Sequence, residues 1–285
     1  MSTHTHPTLA ESAPRRTLLA GCGRVATRLG ESLVTDGGEV VALRRHIEDL
    51  PAAFNALAVD LLKPVAQELP GVDAMVITLS PGMGGEDRPT GYLDGLTHLA
   101  RALPAVPERV VFVSSTRVFE GRPGEQVITE ATPPAPTSPR GRLLVEAEHL
   151  AVELFNAHIV RPAGIYGPGR EMMIRKVTNH TPVQYAQRTN RIHEADLARA
   201  LEMMLTHTDP PHILHAVDQS PAPMGEVVAF IADYLGVQPP PAIEPEEAGG
   251  TVLGGDLLVE SVGALMYPTF REGYQQVINA KRAGC

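Results

Sequence analysis

Apolar and polar positions alternate along the first half of the chain as they do in successive strand–helix–strand units around a parallel sheet. Arg16–Ala20 predicts a first strand and Arg24–Thr35 a helix. Glu39–Leu43 predicts a second strand, ended by Arg44-Arg45, and Ala56–Val59 a third that closes at Asp60. The run Asp73–Leu79 (DAMVITL) is almost wholly apolar, as expected of a strand covered on both faces. A helix over Tyr92–Leu103 and a strand over Arg109–Ser114 follow.

Thr132–Pro139 (TPPAPTSP) reads as a proline-rich loop. Arg140–Phe155 then predicts a long helix, with Leu143, Leu144, Ala147 and Leu150 at helical spacing. His158–Arg161 is one more strand, stopped by Pro162. Beyond Pro168 the pattern loosens. It predicts a loop to about Ile192 that includes Met172-Met173 (loop or pocket wall), then a helix from Ala195 to about Leu205. A strand near His212–Ala216 and a helix over Met224–Leu235 come next, then a second proline-rich linker, Gln238–Pro245, and a weakly patterned tail. The implied class is α/β: a doubly wound Rossmann fold with a parallel sheet and a small C-terminal substrate-side subdomain. The expected division is a disordered tail over 1–15 and a dinucleotide-binding domain over 16–165. A smaller region over 166–285, partly interleaved with that domain, completes it.

Composition narrows the partners. The net charge is −9, and nucleic acid is not the expected partner, because the phosphate backbone calls for a basic surface. No apolar stretch approaches the ~18 residues of a membrane span. Met1–Arg16 has no apolar core of a secretion signal and reads as a disordered polar tail. With only two cysteines, a protein of the reducing cytoplasm with a small-molecule ligand is expected. The two cysteines, Cys22 and Cys285, suggest neither a disulfide framework nor a zinc site. His212 and His215 share an apolar strand three residues apart, on opposite faces, which makes them poor metal partners. No metal is expected.

The first strand runs into Gly21-Cys22-Gly23-Arg24-Val25-Ala26, a G-x-G-x-x-A. Gly21 permits the tight turn, Gly23 lets the backbone approach a pyrophosphate, and Ala26 lets the helix pack closely on the strand. The helix starting here aims free N–H groups at an anion. An NAD site usually carries Asp or Glu about 20 residues further on, for the ribose hydroxyls. Arg44 and Arg45 stand there instead, so NADP is expected over NAD, which stays possible. Leu79-Ser80 and the Gly82–Gly85 loop that follows lie at a strand's carboxyl end, where the cofactor cleft opens. Cys22, at a helix start, reads as a small filler more than as a reactive thiol.

These residues resemble the extended short-chain dehydrogenase/reductases, the group of nucleotide-sugar epimerases and dehydratases. The resemblance also rests on Asp60-Leu61, on Ser114–Phe119 (SSTRVF) and on Arg161–Gly169 (RPAGIYGPG). Further support comes from Arg191–Asp196 (RIHEAD) and Tyr267–Gly273 (YPTFREG). It implies an adenine contact near Asp60-Leu61 and a nicotinamide edge near Pro162, Ala163 and Tyr166. It also implies a substrate pocket under the C-terminal part, with Thr116 and Arg191 as candidate contacts, while Arg140, by its charge, is a candidate contact for an anionic substrate. The family's chemistry rests on a Tyr-x-x-x-Lys pair, and here the matching stretch is Arg140-Gly-Arg-Leu-Leu144. Val59, Met172 and Val277 stand four residues before the only lysines, Lys63, Lys176 and Lys281, so the sequence holds no such pair. Arginine stays protonated and is no general base. Ser115 and His193 remain as candidate proton-handling residues, while Asp196 reads as support for a helix start and Tyr166 as a packed aromatic. Such a chain resembles the atypical members that keep the cofactor site without the catalytic tyrosine. Two functions fit: an oxidoreductase or epimerase of low or unusual activity, and a non-catalytic nicotinamide-cofactor sensor.

Overall fold

The computed structural model describes residues 14–80, 83, 85, 90–243 and 249–283. Most of the expected N-terminal tail, Gly82 and Gly84, the end of the second proline-rich linker and Cys285 lie outside the described residues. The centre is a seven-stranded parallel sheet: β1 (Arg16–Ala20), β2 (Glu39–Arg44), β3 (Asn55–Ala58), β4 (Ala74–Ile77), β5 (Arg109–Val113), β6 (His158–Pro162) and β7 (Ile213–Ala216). Its order is β7-β6-β5-β4-β1-β2-β3, so the direction of strand addition reverses between β1 and β4. Ligands of open α/β sheets bind at such a reversal, outside the carboxyl ends of the strands.

Local sequence explains these elements. Leu18 and Leu19 on β1 point to opposite faces and are both fully buried, so each face of the sheet is covered. All four residues of β4 are buried likewise. Helix α1 (Arg24–Thr35) buries Val25, Ala26, Leu29, Gly30 and Leu33 along one stripe. Helix α2 (Gly91–Ala102) does the same with Tyr92, Gly95, Leu96 and Leu99. Helix α3 (Pro139–Phe155) begins after Ser138, whose hydroxyl oxygen accepts the Gly141 N–H at 3.0 Å.

Two expectations need correction. The stretch read as a loop before Ile192 contains helix α4 (Met172–Thr178), where Met173, Ile174 and Val177 are buried. The tail is ordered as α7 (Asp256–Val262) and α8 (Phe270–Ala283), after α5 (Glu194–Thr206) and α6 (Met224–Leu235). Phe270, Tyr274, Val277 and Ile278 recur at helical spacing along α8 and pack with α4 and α6 into one apolar cluster.

The chain divides into two compact units. One comprises the residues up to Val113 with Ala147–Ile159 and Leu201–His212; the other comprises Ser114–Glu146, Val160–Ala200 and Ile213 onward.

Candidate functional site

In the first unit, a cavity of about 380 Å³ lies at the carboxyl ends of β1, β2, β3 and β4. The glycine turn forms one wall. Gly21 and Cys22 donate their N–H groups to the Leu43 carbonyl at 3.0 and 3.1 Å, and the Thr78 hydroxyl donates to the Gly21 carbonyl at 2.7 Å. Gly21 holds φ +84°, and a Cβ there would press on the Thr78 carbonyl carbon and oxygen at 3.1 Å. At Gly23 the situation is opposite: an added Cβ would meet only the Gly21 carbonyl oxygen, at 3.8 Å, and otherwise open space. Arg24 and Val25 follow as the first residues of α1, which has neither a side-chain cap nor an acidic residue in its first turn. Its first N–H groups are therefore left without a side-chain acceptor or an acid from that turn, as an anion-binding helix start requires.

The opposite wall carries Arg44, Arg45, Asp60 and Leu61, with Leu79 and Ser80 closing the cavity beside the turn. Among the described residues no carboxylate forms an ion pair with Arg44 or Arg45. Asp60 accepts the Leu62 N–H at 3.1 Å, and His98 Nδ1 lies 2.8 Å from the Leu61 carbonyl. The open space at Gly23 and the uncapped helix fit a nicotinamide dinucleotide. Cys22 is fully buried, and burial raises its thiol pKa against the opposing effects of Thr27 and Arg44. It is a protonated filler of the turn.

In the second unit, Ser115 starts a single 3₁₀ turn, Thr116–Phe119, and its hydroxyl oxygen accepts the Arg117 N–H at 3.2 Å. Thr116 donates to the Pro162 carbonyl at 3.3 Å, and Ala163 donates its N–H to Ala216. Pro162, one of the residues expected at a nicotinamide edge, thus sits beside the serine-rich turn. Glu120, unnoticed in the sequence, ties that turn to the proline-rich loop. It accepts from the Ser138 N–H and hydroxyl, both at 3.0 Å, and from Arg117 at 2.7 Å. Burial opposes its charge, but these donors outweigh it and bring its carboxyl down to about 2. The loop so held presents Arg140, exposed in the first turn of α3, while Leu144 one turn on is 1% exposed.

The RIHEAD run is buried. Arg191 donates to the Ser220 carbonyl at 3.1 Å and to the Thr189 carbonyl and hydroxyl, and its guanidinium lies over the Phe270 ring. His193 is 1% exposed; its Nδ1 accepts the Ala195 N–H at 3.2 Å and its Nε2 lies 3.3 Å from the Gln276 side-chain oxygen. Both ring nitrogens therefore have protein partners, and the ring packs on Tyr267 and edge-on to Tyr166. Asp196, fully buried, accepts the N–H groups of Met266 and Tyr267 and pairs with Arg199. It anchors the YPTF segment.

Tyr166 is buried and stacks on Tyr274 at 4.6 Å. A Cβ at Gly273 would overlap the Tyr166 hydroxyl, which explains the glycine closing YPTFREG. Burial, then the nearby Asp218 and Tyr274, push the Tyr166 phenol well above its ordinary range, so it cannot act as a phenolate near neutral pH. Asp218 itself is pushed up to about 7 by burial, against the pull of Arg191 and the Ser220 N–H. His212 lies in the first unit and stacks on His158, whereas His215 is fully buried against Phe119 in the second.

The family model of the NAD dependent epimerase/dehydratase family matches residues 21–216. A Methylobacillus flagellatus protein described as an NAD-dependent epimerase/dehydratase shares 30% identity, with 94% of this chain and 99% of that one covered and a TM-score of 0.76. A functionally unknown conserved protein of Silicibacter pomeroyi shares 26% identity over 93% and 98%, with a TM-score of 0.74. The UDP-glucose 4-epimerase of Thermotoga maritima, solved with UDP-glucose, matches in fold: TM-score 0.78 at 14% identity, over 94% and 99%. No curated protein matches. Among the described residues no helix is long and apolar enough to cross a membrane.

Proposed function

The chain belongs to the NAD dependent epimerase/dehydratase family, and from that premise we propose an NADP(H)-binding, epimerase/dehydratase-like oxidoreductase of low or unusual activity, cytoplasmic, acting on a small carbonyl or nucleotide-sugar-like molecule. The observation that carries the cofactor choice is Arg44 and Arg45 lining the cavity beside the glycine turn, where an NAD site carries an acid. In this reading the N–H groups at the start of α1 hold the pyrophosphate and the two guanidiniums hold the 2′-phosphate. Asp60 and Leu61 border the adenine. When bound, the cofactor supplies or accepts a hydride. Ser115 and Thr116 are assigned to the substrate, with Arg140 as the anion contact beside them. The lack of any Tyr-x-x-x-Lys pair favours a second reading, a cofactor sensor without turnover.

NADPH is expected to bind more tightly than NADH. Arg44→Asp should reverse or abolish that preference, since losing a charge-assisted phosphate contact costs on the order of 1.5–3 kcal/mol. Calorimetric titration of both cofactors decides it; equal affinities in the unmutated protein would refute the assignment. Gly23→Val tests the loop itself. The branched side chain enters the space left open at this position, so cofactor binding should vanish while the thermal unfolding midpoint stays near that of the parent. Normal cofactor uptake by this variant would mean that the turn merely connects strand and helix.

A further inference from the structure

The second unit encloses another cavity, of about 190 Å³, between the Gly164–Tyr166 strand, α4, α6 and α8. Ile165, Met173, Met224 and Val227 line it together with Tyr166 and Tyr274. Its polar lining residues Thr189, Asn190 and Arg191 are already committed. The Thr189 hydroxyl donates to the Ala222 carbonyl at 2.7 Å. Asn190 donates its amide N–H to Thr251 at 2.8 Å and accepts the Leu253 N–H at 3.0 Å, so both ends of its side chain are engaged. Arg191 is held by Ser220 and Thr189. Tyr166 carries a buried hydroxyl with no hydrogen-bond partner among the described residues, and Arg170 is an exposed lining residue whose guanidinium forms no ion pair there.

A nucleobase reads poorly in such a slot. Its polar edge would be buried where Thr189, Asn190 and Arg191 are already taken and the Tyr166 hydroxyl could meet only one of its several donors and acceptors, and an unpaired buried polar group is costly. An apolar body meets no such cost, and methionines adapt to its shape. At ~30 Å³ per water-sized group, the volume accommodates about six such groups. We propose that this cavity binds a small amphipathic carboxylate, with an apolar body of about six carbons in the slot and its carboxylate on Arg170.

The test uses the whole protein without cofactor, so that its failure and a failure of the dinucleotide reading remain separate. Straight-chain monocarboxylates from four to ten carbons are titrated by calorimetry, beside the matching primary alcohols and uridine 5′-monophosphate. Each added methylene should tighten binding about three- to fourfold until the slot is full near hexanoate to octanoate, after which the gain should stop. The alcohols should bind at least tenfold more weakly than the acids. Arg170→Ala, at an exposed position, should erase the difference between acid and alcohol. Met224→Phe should fill the slot and abolish binding of the longer acids, with its fold checked by thermal unfolding. No binding of any acid, no dependence on chain length, acid affinity unchanged in Arg170→Ala, or uridine 5′-monophosphate bound and lost in Met224→Phe would each overturn the proposal.

Discussion

With cofactor saturating, the unmutated protein is expected to turn over sugar-nucleotide and carbonyl substrates roughly 10²–10⁴-fold more slowly than a family member that carries the tyrosine and lysine, the share of rate that a positioned proton donor supplies. The expectation rests on Arg140 and Leu144 at the matching positions. Arginine cannot release its proton at working pH. Leu144 is 1% exposed, so the face of α3 that would present a lysine is packed as apolar core. Nor does Tyr166 compensate, because burial raises its pKa instead of lowering it. Both nitrogens of His193 already face protein partners. The Ser115 hydroxyl remains for proton handling, and it is a poor acid or base by itself. Consumption of NADPH by a substrate panel, run beside a dyad-bearing family enzyme, measures the deficit. Ser115→Ala should lower any residual rate, and Arg140→Ala should weaken binding of an anionic substrate while leaving cofactor affinity unchanged. Rates equal to those of the dyad-bearing enzyme, insensitive to Ser115→Ala and His193→Ala, would show that another group delivers the proton.

The cofactor side of the molecule was legible because its signal is local. A G-x-G-x-x-A between an apolar strand and an amphipathic helix fixes β1, the turn and α1 together, and the observed elements run over the predicted residues Arg16–Ala20 and Arg24–Thr35. Helix α6 was equally plain, since its apolar period stops at Gly236, whose φ of +71° closes the helix. Helix α4 escaped because a seven-residue helix spans barely two turns, too few for a period to emerge from the surrounding glycines and prolines. Helix α8 does carry its period at Phe270, Tyr274, Val277 and Ile278, but Arg271, Glu272 and the polar residues between them dilute the stripe. Glu120 and the apolar slot left no local trace. One is a single acid whose partner Ser138 lies 18 residues on, and the other is assembled from segments spread between Gly164 and Tyr274. Arg191 and His193 show the converse. Their residue types invite a chemical reading, and only three-dimensional packing reveals the partners that occupy their polar atoms.

Asp196→Ala is expected to destabilise the fold by about 3–5 kcal/mol, the range for removing one partner of a buried charged network. The carboxylate is fully buried and accepts the Met266 and Tyr267 N–H groups at 2.8 and 2.9 Å. It also pairs with Arg199, which in turn donates to the carbonyls of Val262 and Ala264 at the end of α7. Truncation would leave two backbone donors and a guanidinium without their acceptor, and each unsatisfied donor costs about 1–3 kcal/mol. It would also release the segment that leads into α8, whose Phe270 and Tyr274 belong to the apolar cluster of the second unit. The thermal midpoint should drop by on the order of 10 °C, at roughly 2–4 °C per kcal/mol for a protein of this size. Asp196→Asn retains one acceptor oxygen and should lose clearly less. Arg199→Ala removes only a partly exposed partner, with a side chain 37% accessible, and should cost about 1 kcal/mol. If Asp196→Ala and Arg199→Ala shift the midpoint equally, the carboxylate acts mainly through the ion pair, and the backbone anchor at Met266 and Tyr267 is not what holds the segment.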